Sequence, residues 1–245
     1  MSQSSGRRGL LWAIIGGLVL IAGIVAIIVA SSLVQREPVP TPTSDGGSTL
    51  SAPTASEEPP GEFVDPTASE MGWVSEPITT DADTYIRAAL EVASTFDTTK
   101  STREEWLDYL DTWFTPDTRY TSEADQQSSV RDAQVELRTG VVLPQEEWDS
   151  LAGEDGRVVA AATGDLAYLP VSDDDSGDMS IGTSDVTLTF TRRDGDGDGG
   201  ETSYEEQVRV SVQVLCGPGS VPTPDSAQRA GDCKVVRFFT EPLEP

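Results

Sequence analysis

The chain has 245 residues, with 16 basic and 42 acidic side chains, a formal net charge of −26, and no histidine. A polyanion of this strength should repel nucleic acid and anionic lipid head groups, which argues against a phosphate-binding role. The lack of histidine excludes an imidazole general base, a histidine-ligated zinc site and a Ser-His-Asp triad. We therefore predict no catalytic residues, no resident cofactor and no enzymatic activity.

The first feature along the chain is an apolar run. Residues 1–9 contain Arg7 and Arg8, and residues 10–34 read LLWAIIGGLVLIAGIVAIIVASSLV without a charge. A helix of 25 residues spans roughly 37 Å, which exceeds a hydrocarbon core of about 30 Å. Because basic residues favour the cytoplasmic side, the sequence predicts a single-pass transmembrane helix at 10–34 with residues 1–9 in the cytoplasm. The protein is then expected in the cell membrane, with its C-terminal domain outside.

The alternative for this run is a cleaved secretory signal peptide, with a small-residue site at Ala30-Ser31-Ser32. The apolar region of such peptides is typically about 7–15 residues, and the run up to Ala30 is longer, which favours an uncleaved anchor. Both interpretations export residues 35–245.

Residues 35–80 differ in composition from the rest of the exported chain. They contain eight of the 16 prolines, and eight acidic side chains against one arginine. Few large apolar residues are present, so the segment cannot bury enough surface to offset the entropy of ordering. We predict a disordered, acidic linker over 35–80, in which the surroundings of Trp73 are candidates for packing on the domain.

Residues 81–245 are long enough for one domain with a hydrophobic core. Two capping signals, at 80–83 and at 101–104, precede apolar residues at helical spacing, and Pro116 ends the second stripe. A polar helix is expected through about Glu136, and residues 144–148 are typical of a short helical turn. The aromatic residues of these helices, including Trp106 and Trp113, are predicted core residues.

After Gly156 the apolar period changes to two, which is typical of strands. We predict one interrupted strand over 157–171 and further strands at 186–191, 208–214 and 234–240. Helices followed by a run of antiparallel strands predict an α+β domain, with helices on one face of a curved sheet.

The helical part of the domain has a distinctive order of residues, followed by long antiparallel strands. The order is Ala88-Ala89, Phe96-Asp97, Ser101, Trp106-Leu107, Leu110 and Phe114-Thr115-Pro116. Over residues 81–242 this pattern resembles the nuclear transport factor 2-like superfamily of cone-shaped α+β domains, and in particular the single-pass extracytoplasmic type common in actinobacteria. That type is similar to assembly proteins of conjugation and type IV secretion machines, so the resemblance implies an assembly role. The same fold also hosts isomerases and dehydratases with a ligand pocket, and no Asp of this chain aligns with their catalytic motif.

The two cysteines, Cys216 and Cys233, flank a Pro- and Gly-rich loop between the last two predicted strands. In an exported domain, an isolated pair of cysteines is most simply a disulfide. Closing a loop of this length should contribute about 3 kcal/mol to stability. Free thiols and metal ligation are the alternatives.

A second motif matches the EF-hand spacing D-x-D-x-D-G-x5-E. Asp194, Asp196, Asp198 and Glu205 occupy its carboxylate positions, and Gly200 occupies the position whose backbone carbonyl binds the ion. The motif is therefore a candidate calcium site. The flanking segments are predicted strands and not helices, which favours a solvated hairpin turn as the interpretation of this stretch.

Together these features predict a membrane-anchored extracytoplasmic interaction or assembly module, with protein partners or self-association and no nucleic acid. Two alternatives stay open: a cone domain that binds a small ligand or acts as an isomerase, and a calcium-dependent adhesion or sensing domain.

Overall fold

The computed structural model describes residues 63–194 and 199–244. Within these ranges, no helix combines the length and the apolar character needed to cross a membrane. The span predicted at 10–34 and most of the predicted linker lie outside the described residues. The elements are α1 Ala82–Val92, β1 Phe96–Asp97, α2 Arg103–Asp111, α3 Glu123–Gly140, α4 Gln145–Ala152, β2 Arg157–Ala162, β3 Ala167–Pro170, β4 Met179–Arg193, β5 Glu201–Leu215 and β6 Lys234–Phe239.

One curled antiparallel sheet organises the domain. Its order is β1-β2-β4-β5-β6, and β3 also pairs with β4. The long strand β4 pairs with β5 along its whole length, and its other edge is shared by β2 and β3. The predicted α+β class is thereby confirmed for the described residues. The single strand predicted over 157–171 is two separate strands, because its Gly164-Asp165 interruption lets each half pair with a different part of β4.

The helix starts agree with the capping signals, with a shift of one residue in α2. Asp81 caps α1 by accepting a hydrogen bond from Thr84 N at 2.8 Å. The N-cap of α2 is Thr102, which forms a capping box with Glu105. Ser101, the residue predicted for this position, instead accepts a hydrogen bond from Trp73 Nε1 at 3.0 Å.

The core lies between the helices and one face of the sheet, here called the inner face, which carries Val158, Val186 and Val212 among others. Trp106 and Trp113 are almost fully buried there, as predicted. The opposite, outer face is mostly polar. It carries a smaller apolar cluster, formed by Val171, Met179, Ile181, Leu215 and Val236.

Residues 63–80 pack onto this domain, although the sequence places them in the linker. Phe63 forms a β-bridge with Pro77, and residues 68–71 form a 3-10 turn. Trp73 stacks on Tyr109 with ring centroids 4.8 Å apart. The described fold therefore begins before the boundary predicted at residue 81, because a few well-placed contacts compensate for the polar composition.

The disulfide between Cys216 and Cys233 is present, which matches the prediction. It joins the residue after β5 to the residue before β6. It therefore closes the loop 217–232 at its base.

Candidate functional site

Aromatic side chains fill the centre of the space between the helices and the inner face, and an apolar cleft of about 260 Å³ lies between the end of α3 and β4. Tyr85, Trp106 and Trp113 are at most 1% exposed. The Trp106 ring lies 4.9 Å from Phe96 and 5.4 Å from Trp148, between ring centroids. Tyr85 lies 5.7 Å from Trp113 by the same measure. A ligand pocket in a cone-like sheet would need this space, and here it is part of the core.

A buried ion pair crosses the core next to these rings. The Glu76 carboxylate is fully buried, and its Oε1 atom accepts three hydrogen bonds. The donors are Lys234 Nζ at 2.9 Å, Tyr85 OH at 2.6 Å and Gln228 Nε2 at 3.1 Å. The cluster joins the segment 63–80 to α1, to β6 and to the disulfide loop.

The Lys234 ammonium is fully paired, whereas Glu76 Oε2 is buried with no hydrogen-bond partner among the described residues. Besides Glu76, the ammonium donates to the backbone oxygen of Thr112 at 2.6 Å and to Thr223 Oγ1 at 2.8 Å, so its three protons all have acceptors. Burial raises the pKa of Glu76 and lowers the pKa of Lys234, while the attraction between the two charges opposes both shifts. Because both groups are shut off from solvent, we assign the pair a structural role.

The edge of the sheet at β2 is capped by side chains of the first helix and the residues after it. The amide of Ala160 donates to Thr95 Oγ1 at 3.0 Å, and the amide of Ala162 donates to Glu91 Oε1 at 3.0 Å. The carbonyl of Ala162 accepts from Arg87 Nη1 at 3.1 Å. The neighbouring residue Val158 pairs with β1. Both outward amides and the Ala162 carbonyl of this edge are therefore bonded within the chain.

The edge at β6 is capped by backbone. Val235 N donates to Trp113 O at 3.0 Å, and Thr115 N donates to Val235 O at 2.8 Å. At the start of the strand, Cys233 N donates to Thr79 O at 2.8 Å. The segment after α2 and the segment before α1 thus cover this strand.

The edge at β5 is not capped along its whole length, as the hydrogen-bond register of β4 and β5 shows. Residues of an antiparallel strand alternate between those bonded to the neighbour and those whose groups point away from it. Two bonds mark the ends of the β4–β5 ladder: Asp194 N to Gly200 O at 2.7 Å, and Cys216 N to Asp178 O at 2.9 Å. Even-numbered residues of β5 therefore bond to β4, and odd-numbered residues direct their backbone groups to the other side.

That other side is occupied by β6 only from Ser211 to Leu215. In the described part of the chain, the outward backbone groups of the odd-numbered residues from 201 to 209 have no hydrogen-bond partner. Residues 201–207 are exposed and residues 208–210 are half-buried. We call residues 201–209 the open edge.

The side chains of the open edge are acidic and aromatic. Glu205 lies on the outer face, whereas Tyr204 and Glu206 lie on the inner face, opposite Phe190 and Leu188. The Tyr204 ring is 42% exposed and stacks on Phe190 with centroids 4.9 Å apart. Phe190 also lines an apolar cleft of about 260 Å³ at the end of the core.

Glu205 and Glu206 differ from the other charged residues of this strand. Glu201 is paired with Arg157 at 2.7 Å, and Arg209 is paired with Asp185 and with the C-terminal Glu244. By contrast, no ion pair between described residues involves Glu205 or Glu206. Two exposed carboxylates, one on each face, are therefore available to an external cation.

The predicted calcium ligands do not all lie together. Asp194 and Gly200 meet through their backbone bond at the hairpin end, but Glu205 lies further along β5, opposite Thr189. At about 3.4 Å per residue, that is roughly 17 Å along the strand from Gly200. The structure does not bring Glu205 to the hairpin end, and Asp196 and Asp198 lie outside the described residues. Calcium binding stays a prediction.

The rest of the described chain offers no metal site either. Among residues 63–194 and 199–244, no group of three or more acidic or cysteine side chains is placed to hold a metal ion.

Sequence reasoning did not anticipate the buried ion pair or the difference between the edges. One signal was present: Lys234 is one of only two lysines and lies in an apolar strand, directly after Cys233. A charge at such a position needs a buried partner. Nothing in the sequence identified Glu76 as that partner, because it lies in the segment predicted to be a linker.

Comparisons with known proteins add little. No family model and no curated protein matches the chain. Among solved structures, the chain is similar to the crystal structure of CagV, a VirB8 homolog of the T4SS from Helicobacter pylori strain 26695. The match has 14% identity and a TM-score of 0.28, and it covers 54% of this chain and 75% of that chain. At that TM-score the likeness carries no argument about this chain.

Proposed function

We propose that this chain is a non-enzymatic interaction module, anchored in the membrane by residues 10–34, that displays the domain outside the cell for assembly of an envelope complex. The observation that carries the proposal is the filled interior. Aromatic rings and a buried ion pair occupy the space where a small ligand would bind, so recognition is left to the surface.

The filled interior also argues against the alternative of a small-ligand binder or isomerase. Such a site needs a concave pocket with a few polar groups facing it. The buried charged and phenolic groups beside Trp113 include Glu76, Tyr85 and Lys234, and they bond to each other or to neighbouring residues of the chain. An incoming ligand would have to break that network and displace Trp113 from the core. The apolar cleft of about 260 Å³ has no ionisable residue in its lining.

The sequence supports the remaining parts of the proposal. Residues 10–34 have the length and composition of a membrane anchor, and the disulfide suits an oxidising compartment. The resemblance to extracytoplasmic domains of conjugation and type IV secretion machines suggests the kind of complex. This last step rests on the resemblance alone.

The topology is tested with the full chain carrying an N-terminal tag in a bacterial host. We expect the protein in the membrane fraction, and protease added to protoplasts should degrade the domain but leave the tag intact. The matched control is the Arg7→Glu/Arg8→Glu variant, in which the tag should lose part of its protection because the orientation signal is removed. Release of the domain with a new N-terminus near Ala30 would overturn the anchored topology.

The assembly role is tested by cross-linking intact membranes of the native host, followed by mass spectrometry. We expect cross-links from the domain to other envelope proteins, including components of a secretion or conjugation machine. A chain that is recovered only as an uncross-linked monomer would contradict the assembly role. Cross-links confined to proteins of other complexes would contradict the assignment to a secretion or conjugation machine.

A further inference from the structure

We propose that the open edge, residues 201–209 of β5, binds an extended basic segment of a partner protein by strand addition. The inference deepens the proposed function and rests on it, since it assigns the surface and the chemistry of the partner. The occupant we infer is a strand rich in Lys or Arg that belongs to another protein.

The backbone of the open edge is arranged for such a strand. Residues 201, 203, 205, 207 and 209 direct their N–H and C=O groups away from β4, and β6 ends its pairing with β5 at Ser211. These groups form a row to which a strand of roughly nine residues could pair, with hydrogen bonds supplying affinity and side chains supplying specificity.

Among the described residues, the long edge at β5 stands out from the other edges of the sheet. The edge of β2 is bonded by side chains from three residues, and the edge of β6 is bonded by two backbone segments. The edge of β3 is also uncovered in the described part of the chain, but this strand has four residues and ends in Pro170, which has no N–H to donate. An exposed row of unpaired strand groups invites association with another chain, and proteins usually cover it or keep it short. The long uncovered row at β5 therefore calls for an occupant.

The negative charge of the open edge favours a basic strand as the occupant. Glu205 and Glu206 are exposed and lie on opposite faces, so a strand beside them can place Lys or Arg against each. The Tyr204 ring, exposed on the inner face, offers a surface over which a cation also binds favourably. A basic strand can therefore interact favourably with Glu205, Glu206 and Tyr204.

The same charge argues against two other occupants. A second copy of the chain would bring equal carboxylates together between proteins of net charge −26, and like charges opposite each other across strands are destabilising. The chain's own residues 35–62 carry an acidic surplus and six prolines, and proline cannot donate to a strand ladder. Neither fits the open edge as well as a basic strand of a partner.

The test uses the full chain in detergent micelles and a synthetic nine-residue peptide of three Lys-Lys-Val repeats, capped at both ends, which places lysines on both faces of a strand. Amide hydrogen exchange is followed by NMR. We expect slower exchange at Ser203, Glu205 and Gln207, whose amides face outward, and no change at Tyr204 and Glu206, whose amides already bond to β4. Affinity should fall as salt is raised.

Two variants separate the backbone from the charges. Gln207→Pro removes an outward donor without removing a bond to β4, so we expect binding to weaken at least about tenfold. The matched control is Gln207→Ala, which keeps the amide and should bind as the wild type does. Glu205→Lys/Glu206→Lys should also weaken binding about tenfold through like-charge repulsion. Circular dichroism checks that each variant is folded.

Any one of three results would overturn the inference: no slowing of exchange, equal slowing at odd and even residues, or undiminished binding by Gln207→Pro. A control peptide with Glu in place of every Lys should not bind, and binding by it would also contradict the proposal. Sedimentation that shows self-association, with the odd amides protected before peptide is added, would assign the edge to a second copy instead. If the domain still cross-links to envelope proteins but the peptide does not bind, only this inference is contradicted. If the domain forms no cross-links to envelope proteins, the proposed function itself is contradicted.

Discussion

The edges of one sheet are treated differently in this molecule. At β2, outward amides bond to Thr95 and Glu91, and at β6 the outward groups bond to backbone around Trp113 and Thr115. At β5, residues 201–209 have exposed groups with no partner among the described residues. The difference shows that an edge of this sheet is capped only where a helix or a loop lies directly beside the strand.

The capped edges and the open edge also differ in what their charges do. On the capped side, Glu91 and Arg87 bond to backbone, and Lys234 is held by Glu76 inside the core. On the open side, Glu205 and Glu206 extend into solvent. The charges of the capped side are bonded within the fold, whereas Glu205 and Glu206 have no ion-pair partner among the described residues, and our proposal assigns them to recognition.

The largest effect is expected at the capped β6 edge from Lys234→Met. Removing the ammonium leaves the buried Glu76 carboxylate without its countercharge, which should cost about 3–5 kcal/mol of unfolding free energy. Urea denaturation measures the loss. The double variant Glu76→Leu/Lys234→Met should recover part of it, because no unpaired charge then remains. A loss below about 1 kcal/mol in the single variant would show that the pair does not hold this edge.

The disulfide beside that edge gives the next largest effect. Cys216→Ser/Cys233→Ser should lower the unfolding free energy by about 3 kcal/mol, because the unfolded chain is no longer closed into a loop. The wild type treated with reductant should show a loss of similar size. If unfolding in urea is the same with and without reductant, the bridge does not contribute to holding β6 in place.

The comparison between edges is tested directly by Glu91→Ala. The variant removes the acceptor of the Ala162 amide, so we expect a loss of about 1–2 kcal/mol and faster hydrogen exchange at that amide. The matched control is Glu205→Ala on the open edge, which should change stability by less than about 0.5 kcal/mol. Equal effects of the two substitutions would break the distinction between a capped and an open edge.

The smallest effect is expected in the pH dependence of stability. Folding raises the pKa of Glu76 above 4.5 through burial. A group of this kind contributes stability below its unfolded pKa and loses that contribution as the pH rises through its folded pKa. The unfolding free energy of the wild type minus that of Glu76→Gln should therefore decrease as the pH rises above 4.5, which urea denaturation at a series of pH values measures.

Among the described residues, the ionisable side chains that bond to the Glu76 carboxylate are Tyr85 and Lys234. Tyr85 has a pKa raised by burial, so it stays neutral in this range. Burial lowers the pKa of Lys234, and in the Gln variant this lysine loses the countercharge that opposes the shift. The unfolding free energy of Glu76→Gln then increases as the pH rises. This increase also lowers the difference between the wild type and the variant. A difference that increases with pH would contradict the raised pKa of Glu76.

Much of the fold could be predicted from local patterns. Helix starts at Asp81 and near Thr102 followed from capping residues, and strand positions followed from apolar alternation. The strand β5 is longer than predicted because residues 201–207 are mostly polar, where alternation gives no signal. The strand β4 begins earlier than predicted because Met179 and Ile181 pack on the outer face, opposite to the face that Val186 and Leu188 identify. The α2 cap shifted by one residue because Ser101 bonds to Trp73, a contact that no local pattern contains.

The sequence by itself determined the identity of most elements, the apolar faces that form the core, and the pairing of the two cysteines. These depend on spacing within a few residues or on having only two candidates. The tertiary structure decided where the charges and edges go. Glu76 and Lys234 are 158 positions apart, and Glu91 and Ala162 are 71 apart. Whether an amide is capped or open depends on which element packs beside it, and that is set by packing in space and not by neighbours in the chain.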